Sequence, residues 1–201
     1  MITILDYGIG NLGSVRNMLH RAGLACDITG DPKAVERASK IILPGVGAFD
    51  RAMAQLDESG LRPVLNHKAL VEKIPLLGIC LGMQMLTNGS DEGQLPGLGY
   101  IPAFAHRFPA NEQLKVPHMG WNRVTKARSS LLTDSLPDDA RFYFVHSYYV
   151  RVENEANALL KCRYGLEYDA AIVKENIYGA QFHPEKSHKF GRAFFTAFGA
   201  L

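Results

Sequence analysis

The sequence predicts an α/β fold: an open, mostly parallel central sheet with helices on both faces, continued by a mixed or antiparallel extension of strands. Three observations carry this. Short apolar runs alternate with helically spaced segments from residue 2 to about 88, glycine-rich turns follow three of those runs, and beyond a polar connection at 89–99 strand patterns dominate. A chain of 201 residues with 47% hydrophobic and 21% charged residues can build one core, so residues 1–201 read as a single domain.

The elements follow in order. Residues 2–5 read as a buried strand, and Val15, Met18, Leu19 and Ala22 mark a helix after the turn Tyr7-Gly8-Ile9-Gly10-Asn11. Gly8, Gly10 and Gly13 satisfy G-x-G-x-x-G, which opens a dinucleotide reading. That reading needs an acidic residue closing the next strand; Asp27 lies inside the strand-like Leu24–Thr29, and Asp31-Pro32 looks like a helix cap and first turn. Residues 40–43 form a third strand running into Pro44-Gly45-Val46-Gly47-Ala48-Phe49. Helical spacing continues through Met53, Leu56 and Leu61, then Val64, Leu65 and Leu70. The apolar run Ile74–Leu86 reads as strand, sharp turn at Cys80, and helix. Later strands are expected at Tyr100–Ala105, Val116–Val124, Arg141–Val150, Ala158–Cys162, Ala170–Val173 and Ile177–Phe182, with a short helical piece near Ser129–Leu136 and a closing helix from His188 to Leu201.

Composition narrows the function. The net charge is +2 and no stretch gathers lysines and arginines, so neither nucleic acid nor an anionic membrane is an expected partner. No apolar segment approaches the roughly 18 residues of a membrane span. Cys26, Cys80 and Cys162 are odd in number and far apart, which fits neither a disulfide framework nor a zinc site. Residues 1–6 lack a signal-peptide pattern, and a cytoplasmic protein is expected.

Two stretches point to chemistry. Cys80, between Gly78 and Gly82 at a strand-to-helix turn, has the setting of a nucleophile elbow, with its sulfur expected to be exposed at a helix N-terminus. The alternative is a small buried residue at a strand end. His183-Pro184-Glu185 is expected at a strand end, where the imidazole can act as a base and Glu185 can hold its tautomer. The 44–47 loop has the backbone freedom of an oxyanion hole or of a plain connection. His183, Glu185 and His188 do not make a convincing metal site, because the proline breaks helical spacing; neither metal nor cofactor is expected.

Gly78-Ile79-Cys80-Leu81-Gly82-Met83-Gln84 together with Phe182-His183-Pro184-Glu185 resembles the class I, triad-type glutamine amidotransferases over nearly the whole chain. The resemblance implies a Cys80, His183, Glu185 triad releasing ammonia from glutamine. It implies oxyanion donors at the amides of Val46 and Leu81, and glutamine contacts at Gly47, Gln84, Ser147 and Tyr148. Pro44–Phe49, Pro117–Asn122 and Tyr143–Tyr148 resemble members that hand ammonia to a separate (βα)8-barrel synthase subunit in histidine biosynthesis. Asn11, Trp121, Asn122, Tyr143 and Lys186 then belong at the interface of a heterodimer, and the glycine-rich first turn becomes a docking surface instead of a cofactor loop. The fold leaves no residues for a synthase domain, and ammonia released into neutral water would be protonated, so a docked acceptor is expected. Asp169–Ile172 and His183–Gly191 resemble instead paralogues that feed N-acetyl-sugar amidotransferases in surface polysaccharide assembly. A stand-alone cysteine hydrolase and a non-enzymatic scaffold are the remaining readings.

Overall fold

A computed structural model describes residues 1–109 and 114–201. In chain order the first half comprises β1 (Ile2–Leu5), α1 (Leu12–Arg21), β2 (Cys26–Thr29), α2 (Pro32–Val35), β3 (Lys40–Gly45), α3 (Phe49–Glu58), α4 (Arg62–Asn66), β4 (Leu76–Cys80) and α5 (Leu81–Met85). The second half comprises β5 (Ala103–Arg107), β6 (His118–Lys126), β7 (Arg141–His146), β8 (Tyr148–Val152), β9 (Ala158–Tyr164), β10 (Leu166–Lys174), β11 (Ile177–Ala180) and α6 (His188–Ala200). Among the described residues nine strands form one sheet in the order β2-β1-β3-β4-β11-β10-β9-β6-β7, and β5 pairs with β8 in a second, two-stranded sheet.

Strands β2, β1, β3, β4 and β11 run parallel, so their C-terminal ends share one edge. The remaining pairings across the large sheet are antiparallel. Alternation along the parallel strands sorts side chains onto two faces. Ile4, Ile42, Leu77 and Ile79 pack with Val15 and Leu19 of α1 and Phe194, Phe195 and Phe198 of α6. Leu5, Ile41, Leu43 and Leu76 pack with Phe49, Met53 and Leu56 of α3 and Leu65 of α4. No helix of the described residues is long and apolar enough to cross a membrane.

Four expectations need correction. The run Arg141–Val150 is two strands, because the chain changes sheets at Ser147: β7 pairs with β6, whereas β8 pairs with β5. The strand expected at Tyr100–Ala105 starts at Ala103 and lies in the small sheet. Ser129–Leu136 is a series of turns, not a helix. Asp134 there accepts from Ser129 Oγ (2.6 Å) and the Ser130 amide (2.9 Å), local bonds that compete with a helical ladder. The last parallel strand stops at Ala180, and His183 instead caps a 3-10 turn over Pro184–Lys186.

Close backbone approach explains the glycines around residue 80. A Cβ on Gly78 would lie 2.6 Å from the Gly82 carbonyl oxygen, one on Gly45 would lie 2.6 Å from the Gly82 amide, and one on Gly82 would strike the Leu43 carbonyl oxygen. The strands β3 and β4 and the start of α5 are thus in direct backbone contact. Gly13, within α1, faces open space. Chemical denaturation should show Gly82→Ala destabilised by about 3 kcal/mol, because backbone atoms must move. Gly13→Ala should gain about 0.5 kcal/mol from lower unfolded-state entropy. Equal stabilities for the two variants would contradict the packing described.

Candidate active site

Register assembles the site. Gly45 pairs with Cys80 across β3 and β4, and Ile79 pairs with Ala180 across β4 and β11. The Val46-Gly47 turn therefore leaves the sheet on one side of Cys80, and Gln181-Phe182-His183 leaves it on the other. Cys80 has φ +54°, a left-handed conformation that costs a non-glycine residue about 1–3 kcal/mol. This strained turn is what the glycine-flanked cysteine predicts. Its sulfur is less exposed than expected: the residue is only 7% accessible, and the helix after it spans just five residues.

Cys80 opens into a cavity of about 370 Å³. Val46, Gly47, Leu81, Gln84, Ser147, Tyr148 and His183 line it, so every oxyanion and substrate position expected from the sequence is brought together there. The Gln84 amide nitrogen donates to the Tyr148 carbonyl oxygen (3.2 Å) and to Gln181 Oε1 (3.2 Å), and Gln181 Nε2 donates to Cys80 Sγ (3.8 Å). Glu92, Pro117, Val145, His146 and Lys186 complete the lining. Of these only Lys186 is an expected site residue, as an interface position. Glu92 sits in a glycine-rich connection with no pattern to mark it; Gln181 carried a usable signal, a polar residue ending an apolar strand two positions before His183.

The His183 imidazole is buried, with Nδ1 2.7 Å from Glu185 Oε1. Its backbone is tied to β7 through its amide, which donates to the Tyr143 carbonyl oxygen (2.9 Å). The Ser187 hydroxyl donates to the His183 carbonyl oxygen (2.6 Å) and accepts from the Tyr143 amide (3.0 Å). Burial pulls the His183 pKa down, but hydrogen bonds to the Cys80 and Glu185 side chains and the charges of both outweigh it, and the pKa is pushed up to about 10. Cys80 and Glu185 thus both favour a proton on the His183 imidazole at neutral pH, and Glu185 does so through the 2.7 Å hydrogen bond.

The expected interface residues divide. The Lys186 ammonium lies 5.7 Å from the Tyr143 ring, Tyr143 meets Trp121 edge-on at 6.3 Å, and Trp121 stacks on His188 at 5.4 Å. Lys186 also lines the cavity, so this cluster borders its mouth. Asn11 is exposed on the turn after β1, where Gly10 abuts Pro44. Asn122 lies on the opposite face of β6 from Trp121. Its side chain bonds the Arg163 carbonyl oxygen and His118.

The His183 pKa sets an expected pH dependence. A raised folded-state pKa contributes stability that is fully present below the unfolded value near 6.5 and is lost as pH rises through about 10. Glu185→Gln removes one of the two supports, so the imidazole midpoint, followed by NMR, should fall and the loss of stability between pH 7 and 10 should shrink. A midpoint unmoved by this substitution would show that Glu185 does not hold the proton.

Residues 3–199 match the family model described as glutamine amidotransferase class-I. The chain is 53% identical over 191 residues, 95% of both chains, to the imidazole glycerol phosphate synthase subunit HisH 2 of Methanococcus maripaludis. It is 46% identical over 201 residues, the whole of both chains, to the protein of the same name in Pseudomonas aeruginosa. A solved glutamine amidotransferase superposes with a TM-score of 0.77 at 18% identity, covering 100% of this chain and 99% of the other, a likeness of fold. With a match that runs from the first strand to the last helix, the chain belongs to the class-I glutamine amidotransferase family.

Proposed function

We propose that the chain is the glutaminase subunit of an imidazole glycerol phosphate synthase, releasing ammonia from glutamine for a (βα)8-barrel partner in histidine biosynthesis. The observation that carries the chemistry is Cys80 beside a protonated His183, itself held by Glu185, at the floor of a cavity shaped by Gly47, Gln84, Ser147 and Tyr148. Residues 1–201 act as one glutaminase domain. The full-length relatives named as HisH subunits favour this acceptor over surface-sugar amidation.

In this reading the Cys80 sulfur attacks the side-chain amide carbon of glutamine, and the amides of Val46 and Leu81 stabilise the oxyanion. His183 gives its proton to the departing nitrogen as the C–N bond breaks, leaving a glutamyl thioester and ammonia. Water then attacks the thioester carbon, His183 takes up a proton, and glutamate leaves as the sulfur is regenerated. Glu185 keeps the imidazole oriented throughout. The Glu92 carboxylate, which accepts from the Phe49 amide (3.0 Å), presents negative charge on the cavity wall and suits the α-ammonium group of an amino-acid substrate. No cofactor takes part.

The oxyanion turn is built to move at one end only. Gly45 is clamped against Gly82, whereas Gly47 has φ +93° with nothing near its missing Cβ. The Gly45–Val46 peptide, which carries the Val46 N–H, has this open end to turn into, and a ligand-bound partner that favours the orientation with that N–H aimed into the cavity would switch the site on. Docking of that partner falls at the cavity mouth. Trp121 and Met119, 46% and 62% exposed, project from one face of β6 beside Tyr143 and Lys186, and Asn11 lies at the same sheet edge. A heterodimer on this surface would receive ammonia without its passing through bulk water. A cytoplasmic setting agrees with three free cysteines.

Two expected outcomes follow. Glutamine hydrolysis, measured with and without the synthase subunit and its nucleotide ligand, should be slow alone, strongly stimulated in the liganded complex, and absent in Cys80→Ala. Equal rates with and without the partner would remove the coupling, and stimulation only by a sugar amidotransferase would reassign the acceptor. Trp121→Ala should weaken binding of the synthase by about tenfold or more, as loss of an exposed aromatic anchor does; unchanged affinity by calorimetry would place the interface elsewhere.

A further inference from the structure

A buried polar group that takes no part in the steps above runs back from the cavity wall, which it reaches at His146. His118, His146 and Tyr168 are almost wholly enclosed. The His118 ring is stacked between Phe144 (4.8 Å) and Tyr164 (4.0 Å), and Phe108 stands edge-on to Tyr168 (5.7 Å). Polar atoms in so apolar a box must be hydrogen-bonded to one another.

Donor and acceptor chemistry gives the bonds a direction. Asn122 Nδ2 lies 3.0 Å from the Arg163 carbonyl oxygen, and Asn122 Oδ1 accepts from the Arg123 amide (2.8 Å), which fixes the amide orientation. Nδ2 therefore also donates to His118 Nε2 (3.3 Å), and the His118 proton resides on Nδ1. At the other end His146 Nδ1 is 2.7 Å from the Tyr148 carbonyl oxygen, which can only accept, so the His146 proton is on Nδ1 and its Nε2 accepts. The Tyr168 hydroxyl lies between, 3.0 Å from His118 Nδ1 and 3.3 Å from His146 Nε2, accepting from the first and donating to the second. The direct 3.3 Å approach of His118 Nδ1 to His146 Nε2 runs in the same sense. Burial pushes the pKa of His118 down to about 4 and that of His146 down to about 3, so both rings are neutral, as these tautomers require. The Cys162 thiol is the other polar neighbour of Tyr168.

We infer that Asn122, His118, Tyr168 and His146 form one directional hydrogen-bond chain that positions the Tyr148 carbonyl and with it the Ser147–Tyr148 shelf on which glutamine rests. The inference builds on the glutaminase reading. The same carbonyl accepts from Gln84, and Gln84 reaches Cys80 through Gln181, so the chain from Asn122 ends on groups that meet both substrate and nucleophile. It also accounts for Asn122 facing inward while Trp121 faces out. His118 and Tyr168 touch no substrate; they are positioning residues, and their loss should be felt in substrate binding before it is felt in chemistry.

Glutamine kinetics of the complex with the synthase subunit, for wild type, Tyr168→Phe and Tyr164→Phe, test this together with histidine ¹⁵N NMR of the chain. Tyr168→Phe keeps the ring and removes one link; it should raise the KM for glutamine about fivefold while kcat changes by less than about twofold. The His146 Nε2 resonance should shift in that variant. Tyr164→Phe removes a hydroxyl of the same box that bonds the Lys115 carbonyl oxygen, off the chain, and should leave KM unchanged. A Tyr168→Phe complex with wild-type KM, or with kcat reduced as much as kcat/KM, would overturn the positioning role. Wild-type His146 carrying its proton on Nε2 would overturn the chain whatever the kinetics. A wild-type complex unable to hydrolyse glutamine would instead remove the glutaminase reading and the shelf with it, even with both tautomers as inferred.

Discussion

The constraint on which the site depends is the absence of space between the ends of β3 and β4 and the start of α5. Three glycines bring backbone to backbone, and the chain can leave β4 only through a sharp turn at Cys80 with positive φ. The strain is held in place by the strands on either side, the condition under which such conformations persist. Everything else in the site is placed relative to that turn. Pairing with β3 puts the Val46-Gly47 loop on one flank, and pairing with β11 puts His183 on the other, although a hundred residues separate the sulfur from the imidazole.

Around this turn the environment decides what each imidazole does. His183, His146 and His118 are all buried, and burial disfavours charge in each. Only His183 faces a sulfur and a carboxylate, and only it is held protonated. His146 and His118 face a phenol, an amide, a carbonyl and each other, and stay neutral. One region of the fold thus holds a charged imidazole beside Cys80 and, close by, neutral rings suited to fixed hydrogen bonds. Chemistry and support are separated by partners, not by residue type.

Much of this was legible in the sequence. The alternation of apolar runs and helical spacing in the first 88 residues corresponds to the parallel half of the sheet, and Asp31 caps α2 by accepting from the Lys33 amide (3.1 Å) as its position before Pro32 implies. The glycine-flanked cysteine and the His-Pro-Glu segment converge because both follow neighbouring parallel strands. The second half was harder for a physical reason. Arg141–Val150 is rich in aromatic and β-branched residues throughout, so nothing local marks the point at Ser147 where the chain changes sheets. Ser129–Leu136 has helical apolar spacing, yet Asp134 and Ser130 satisfy the backbone locally. Glu92 and Asn122 depend on which way a loop or strand faces, information held in pairings rather than in spacing.

The cavity opens on one particular sulfur among three. Mass mapping of the synthase complex after treatment with a glutamine-derived diazoketone, which alkylates the thiol that would attack the amide, tests that directly. The expected result is a single adduct on Cys80, suppressed by glutamine, with Cys26 and Cys162 untouched. Labelling of either other cysteine in preference, or labelling of Cys80 that glutamine does not protect against, would contradict it.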